Sequence, residues 1–398
     1  MLQDYFTNLT DPRQPGKIKH KLLEMVIMTI CAVIAGCDVW EDIVDFCRVK
    51  EQWFKESLQM ELANGIPSHD TMQRVWAMIH PEEFEKCFRS WVSSVCRATD
   101  GEIISIDGKT LRRSGSKERN PVHMVSAWAS QNQLVLGQLA VEEKSNEITA
   151  VPALLEMLDV EGSVITADAM SCQKEITKKI VEKKADYVIG LKDNQPNLRR
   201  NASEYYEDAL ADPRNYPEIQ KCETTEKGHG RIEHRKYYLT TNLDWLSGKE
   251  EWGNLFGFGM VRSKIETNGV ISKETRYYIT SLKEVGTFAN AVRSHWGIEN
   301  SLHWCLDMTF HEDYSRVRKD HSAENMAVVR HIALDVLKNY PAKISLARKR
   351  RRCTYDDDFL ANVLLSVRSC VSRDIAGELL ALSGEADSEQ LMIEDVSV

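Results

Sequence analysis

The sequence predicts an α/β chain: a mixed sheet flanked by helices, preceded by an all-helical segment and interrupted by a β-rich insertion. Three observations carry this. Residues 1 to about 100 read as helices throughout. From 101, three short apolar runs precede alternating units, in the order β-β-β-α-β-α-β-α. Residues 213–281 then break the alternation with strand-like stretches, and helical periodicity returns from 284 to about 339.

The helical segment, 1–100, opens on "KIKHKLLEMVIMTICAVIAGC", which has a basic start, an apolar middle and a small-residue end before Cys37. Glu24 interrupts the apolar run, which is too short to span a bilayer, so a buried helix is expected rather than a signal. In "ANGIPSHDTMQRVWAMIHPEEFEKCFRSWV", Ser68 suits a helix cap and Pro81 the first turn of a second helix. A helical hairpin is favoured over a helix-turn-helix, and 68–97 remains a candidate DNA contact.

The first part of the α/β core, 101–212, begins with "EIISIDGKT" as a strand ending in Asp107. "HMVSAWAS" and "LVLGQLAVEE" flank "QN" as a hairpin. Helix 147–158, strand "GSVITAD", helix 172–184, strand "DYVIGLK" and helix 196–210 follow. In the insertion, 213–281, "GRIEHRKYYLTTN", "FGFGMVRSKIE" and "VISKETRYYITSL" read as strands, with the "NG" at 268–269 as a hairpin turn. The core resumes over 282–340. A basic run at 347–352, a last helix and an acidic, small-residue tail occupy 341–398.

With 398 residues, 42% of them apolar, the chain can bury a real core and form two or three domains. A mean hydropathy of −0.39 fits a soluble protein. The formal charge is −9 and the sequence pI about 5.8, which argues against a nucleic-acid binder unless the cations cluster. None of the ten cysteines forms a CxxC pair, so zinc-ribbon and redox motifs lack their spacing. Scattered reduced thiols point to the cytoplasm.

The chemistry rests on two strand ends, "IISID" and "VITAD". In α/β sheets ligands gather at the carboxyl ends of strands, so neighbouring strands would bring Asp107 and Asp168 into one crevice. Two carboxylates suit a hard cation such as Mg2+ (Mn2+ can substitute) but leave it undercoordinated. Glu299, in "RSHWGIENSLHW", can supply a third acid. Metals about 3.5–4 Å apart would then drive in-line attack on phosphodiesters. Lys109, Arg112, Arg113 and Lys192 would contact phosphates, and Asn300 would orient Glu299 or a water. The basic run contributes Arg348, Lys349, Arg350, Arg351 and Arg352 as candidate DNA contacts.

Each residue has an ordinary alternative. Asp107-Gly108 is a common turn pair, Asp168 can cap a helix, and a solvated Glu299 needs no role. His295, Glu299 and His303 recur every four residues, which admits a transition-metal site, although HExxH is absent. Trp296 and Trp304 read mainly as packing residues.

"IDGKTLRRS", "TADAM", "VIGLKDNQ" and "HWGIENSLHWCLDMTFHED" together resemble the bacterial H-repeat-associated proteins, a group of DDE insertion-sequence transposases. "FTNLTDPRQPGKIKHKLLEM" and "GIPSHDT" resemble the helical domain associated with that family. The resemblance implies an RNase H-like core with a β-rich insertion before the last acid. It also implies metal-binding acids at Asp107, Asp168 and Glu299, and Mg2+-dependent cutting and joining of double-stranded DNA, at element ends and target. A homodimer on DNA in the nucleoid, with no membrane partner, is expected. Many related transposases place Tyr and Arg before the Glu and Lys after it; those places here hold Val292, His295 and Leu306. Arg293 and His303 are the candidate substitutes. Two further readings stay open: a structure-specific nuclease on the same scaffold, and a DNA-binding repressor with a defunct core.

Overall fold

The computed structural model describes residues 2–96, 101–116, 120–141, 147–228 and 230–366. The acidic tail and Cys370 lie outside the described residues.

Five helices precede the sheet: α1 (Leu22–Ile34), α2 (Trp40–Val49), α3 (Glu51–Ser57), α4 (His69–Met78) and α5 (Pro81–Val95). Helix α1 is the apolar "LLEMVIMTICAVI" segment, buried along nearly its whole length. Its one acid is tolerated because the Glu24 carboxylate accepts the backbone N–H groups of Glu61 and Leu62. Ser68 caps α4 by accepting the Thr71 N–H, and Pro81 stands in the first turn of α5. Trp76 of α4 donates to the Thr29 hydroxyl of α1 at 3.0 Å, which joins the two helices inside the core.

The sheet elements are β1 (Ile103–Thr110), β2 (His123–Ala129), β3 (Leu134–Val141), α6 (Glu147–Met157), β4 (Val164–Ala167), α7 (Lys174–Glu182), β5 (Asp186–Leu191) and α8 (Pro196–Ala211). The insertion supplies β6 (Gln220–Gly228), β7 (Arg231–Thr240), β8 (Gly257–Thr267) and β9 (Val270–Thr280). All nine strands form one sheet in the order β3-β2-β1-β4-β5-β9-β8-β7-β6. β1, β2 and β3 run antiparallel in succession, while β4 and β5 run parallel to β1. This is the mixed sheet expected from the order of elements.

The insertion departs from the sequence reading in two ways. It has four strands, because the polar run "QKCETTEKG" forms β6, an edge strand with neither face fully buried. It also extends the core sheet, since β9 pairs with β5 from Val188↔Thr280 to Leu191↔Tyr277. The β8–β9 turn is the Asn268-Gly269 pair, both at positive φ (51° and 78°), as a two-residue hairpin of this twist requires.

Chain order resumes with α9 (Val285–Gly297), a π-helical turn (Ile298–His303), α10 (Trp304–Met308), α11 (Ser322–Asn339), α12 (Leu346–Tyr355) and α13 (Asp357–Ser366). Phe288 and Val292 of α9 pack on Ile103, Val164, Val188 and Val261, which defines one face of the sheet. The other face carries Ile104, Ile106, Ile165 and Ile189, part of the main core. Helix α11 runs beside α1, α4 and α5, so the C-terminal helices close the same helical layer as the N-terminal ones. Among the described residues, no helix is long and apolar enough to cross a membrane.

Candidate active site

Parallel pairing between β1 and β4 ends at Ile106↔Ala167. Asp107 and Asp168 are the next residue on each strand. Side chains alternate across a sheet, so both follow Ser105 and Thr166 onto the face that α9 covers. β1 itself does not stop at Asp107, because it keeps pairing with β2 as far as Thr110↔His123. Asp107-Gly108 is therefore strand, not turn. Gly108 is needed for space: a Cβ there would meet the Glu147 and His123 side chains at 2.4 Å.

Glu299 arrives from the π-helical turn. Ligand atoms of Asp107, Glu299 and His303 all lie within 4.8 Å of one another. His303 Nδ1 stands 3.7 Å from the Asp107 carboxylate and 3.6 Å from that of Glu299. Burial pushes the Asp107 carboxyl up to about 6; His303 and the Gly108 N–H pull it down, while Glu299 and Asp168 push it further up. The neighbouring His303 imidazole holds Glu299 below its ordinary value. His303 Nε2 is buried without a hydrogen-bond partner.

Asp168 is exposed, and its Oδ1 accepts the Met170 N–H, capping the short 3-10 turn Ala169–Ser171. The cap expected as an alternative is thus real, and it leaves Asp168 beside the three-residue group rather than within it. Its charge is nevertheless felt at Asp107.

The spacing of His295, Glu299 and His303 suggested one ligating stripe. Instead His295 lies under the site, 3.0 Å from the Thr166 hydroxyl, which donates to Ser105. Burial pulls His295 down to about 4. The charges of Glu299 and His303 still reach it. Of the two tryptophans, neither is a packing residue of the core: Trp296 is partly exposed beneath the Arg276 guanidinium, and Trp304 is 58% exposed. Val292 and Leu306 are buried.

The expected phosphate contacts fare unevenly. Lys109 points into a cluster of acids, with its ammonium 2.7 Å from Asp307, 3.1 Å from Glu312 and 3.3 Å from Asp313. Arg330 adds a second cation 3.5 Å from the fully buried Glu312. Burial alone would raise Glu312; Lys109, Arg330 and His331 together bring it below its ordinary value. Arg112 is largely exposed with Asp313 at 3.2 Å, Arg113 lies over the Tyr314 ring, and Lys192 is exposed. Arg293 is held by both oxygens of Glu226, at 2.8 and 2.7 Å. Asn300 donates to the Trp296 carbonyl.

The basic run forms α12, capped by Ser345. Lys349 and Arg350 are buried, contrary to a role as surface contacts. Lys349 donates to the Leu337 carbonyl, and Arg350 to the Val33 carbonyl and to Asp38. Both satisfy backbone groups at helix ends. Arg348, Arg351 and Arg352 face solvent, the last with Asp356 at 2.9 Å.

Sequence reasoning missed the Lys109–Asp307–Glu312–Asp313–Arg330 cluster. The "HED" at 311–313 was visible, but nothing local distinguishes a solvated pair of acids from one clamping a strand.

Comparison with known proteins adds the family. Residues 98–336 match the family model described as transposase DDE domain, and residues 3–92 match the one described as DDE_Tnp_1-associated. The "H repeat-associated putative transposase YhhI" of Escherichia coli (strain K12) is 40% identical over 372 residues, covering 91% of this chain and 97% of that protein. "Putative transposase YncI" of Escherichia coli O157:H7 is 40% identical over 374 residues, covering 92% and 94% respectively. Among solved structures, a piggyBac transposase synaptic complex with hairpin DNA aligns at 9% identity and a TM-score of 0.42, over 92% of this chain and 79% of that one.

Proposed function

The chain belongs to the DDE transposase family, and from that premise we propose that it cuts DNA at the ends of its element and joins them to a target. The observation that carries this reading is the meeting of Asp107 and Glu299, distant in sequence, beside His303 where the pairing of β1 with β4 ends. Burial and neighbouring acids keep Asp107 well above its ordinary value, which marks a site that gains from a cation.

The donor set fits a divalent ion: two carboxylates and an imidazole whose Nδ1 faces both of them. Asp107, Glu299 and His303 would hold it, with Asp168 alongside. Mg2+ is the proposed ion and Mn2+ an acceptable substitute. Such an ion supplies an activated water or 3′-hydroxyl and offsets charge on the departing oxygen. The residues do the rest. Thr166 and His295 brace the floor of the site under Ser105, and the π-helical turn aims Glu299 at β1. The Lys109 cluster holds β1 against the segment that follows Glu299. Arg112 and Lys192, both exposed near the strand ends, remain the proposed phosphate contacts, with Arg113 beside them. A homodimer on DNA is the proposed working assembly.

The test is strand transfer of a labelled element end into a plasmid by purified full-length protein with Mg2+. Wild type should cut and join; Asp107→Asn, Asp168→Asn and Glu299→Gln should each do neither while still binding the duplex. Cutting without joining would favour a nuclease. Full activity in the Asp168→Asn variant would remove the catalytic reading.

A further inference from the structure

We infer that the outer face of the β6–β9 extension is a second DNA surface, separate from the catalytic crevice, that grips duplex phosphates. The inference rests on the reading of the chain as DNA-acting, but not on its being catalytic.

The extension reaches past the catalytic edge. β9 runs antiparallel to β5, whose last residue Leu191 pairs with Tyr277. The seven residues of β9 before Tyr277 therefore continue beyond the end of β5. At about 3.3 Å per residue they project roughly 20 Å past the edge that carries the carboxylates. β8 runs alongside to Thr267 and β7 starts at Arg231, so a four-stranded ribbon overhangs the site.

Cross-strand register sorts its charges. Residues that pair in an antiparallel ladder share a face. One row is Glu223, Lys236, Arg262 and Thr275; the next is Thr225, His234, Lys264 and Lys273; the outermost is Lys227, Ile232, Glu266 and Ile271. The row nearest the core contains Lys221, Tyr238, Met260 and Tyr277, where Tyr206 of α8 covers the tyrosines. Beyond α8 the face is open. Across the four rows six lysines and arginines stand against two carboxylates, on a chain whose formal charge is −9. All six are exposed.

The opposite face is of different character. There Glu226, Glu233, Arg235 and Arg293 neutralise one another beneath α9. Asp107 and Asp168 lie on that side, so the basic face looks away from them. Protection of a sheet edge would explain lysines on β6, and Lys273 where β9 has passed β5. It does not explain Lys236, Arg262 and Lys264, which sit on β7 and β8 with a paired strand on either side. Rows of cations about 7 Å apart, with strands about 4.8 Å apart, suit a polyanion of regular charge spacing. Duplex DNA is the partner of that chemistry already implied by the family. Lys236 is paired with Glu223 at 2.9 Å, which still leaves this face a surplus of cations, while around the crevice Lys109 and Arg293 are engaged with acids.

The experiment measures binding of a labelled 30-base-pair duplex of arbitrary sequence to full-length protein across a salt series. Replacing Lys236, Lys264 and Lys273 together by Gln should weaken binding at least tenfold at low salt. It should also flatten the slope of log K against log salt by about 2.7, at about 0.9 for each phosphate no longer neutralised. A matched triple, Lys178→Gln with Lys184→Gln and Lys343→Gln, removes the same charge from exposed positions elsewhere and should leave the slope unchanged. An unaltered slope in the first triple, or an equal loss in the second, overturns the inference. Because binding is the readout, inactivity of the wild type in strand transfer would sink the catalytic proposal and leave this one standing.

Discussion

The Lys109 ammonium stands 2.7 Å from the Asp307 carboxylate, tying β1 to the helix that follows Glu299. Two residues before Lys109 is Asp107, and eight before Asp307 is Glu299. One ion pair thus spans the two segments whose acids meet beside His303. Glu312, 3.1 Å from the same ammonium, is fully buried and depends on it.

Lys109→Met should therefore destabilise the fold by about 2–3 kcal/mol, less than the cost of a wholly unpaired buried charge because Arg330 stays 3.5 Å from Glu312. Arg112→Gln, at a largely exposed guanidinium beside Asp313 alone of these acids, should stay within about 0.5 kcal/mol. Denaturant unfolding separates them; matching midpoints for wild type and Lys109→Met would dismiss the clamp.

The pH dependence follows from Asp107. Its folded value, about 6, lies above the ordinary 3.8, chiefly through burial. An acid raised in this way lends its stability below pH 4 and loses it as pH climbs through about 6. In metal-free protein, Asp107→Asn should therefore raise stability at pH 7.5 by up to about 3 kcal/mol, at about 1.36 kcal/mol per unit. At pH 3.5 the gain should vanish. Thermal melts at both pH values check this; equal gains would show that ionisation is not the cause.

A divalent ion should reverse that penalty. Millimolar Mg2+ or Mn2+ should raise the Tm of wild type more than that of Asp107→Asn, because binding adds RT ln(1 + [L]/Kd) to stability. His303→Gln should diminish the Mn2+ shift more than the Mg2+ shift, since imidazole nitrogen suits the transition metal better than the hard cation. Identical shifts in all three proteins would leave the acid cluster without an ion to hold.

Within the basic run, neighbouring arginines should behave oppositely. Arg350 is buried and donates to the Val33 carbonyl at 2.8 Å and Asp38 at 2.9 Å. Arg350→Gln should cost about 2 kcal/mol or more by stranding those acceptors. Arg351→Gln, on the exposed side of the same helix, should change stability by less than about 0.5 kcal/mol. Comparable losses would contradict the assigned orientation of α12.

Much of the fold was legible because periodicity reports burial. The α1 segment, the Ser68 cap, the Pro81 start and the core strands from "IISID" to "DYVIGL" all fall where apolar pattern and cap residues place them. β6 escaped because an edge strand with neither face fully buried has no apolar alternation to detect. The basic run was legible as charge but not as orientation: a buried Arg350 and an exposed Arg351 look alike in one dimension. The lysines of the overhanging ribbon were passed over for the same reason, since only the ladder register reveals that they share a face.

By itself the sequence determined the helical layer, the order of the core elements along the chain and the two strands that carry the acids or lead into them. These follow from patterns a few residues long, which burial and backbone geometry impose locally. Tertiary structure alone decided that Glu299 and His303 face Asp107 while His295 and Asp168 make other contacts. The physical reason is that an ion cluster fixes the segment after Glu299 against β1, and that cluster depends on contacts between residues about two hundred apart in the chain.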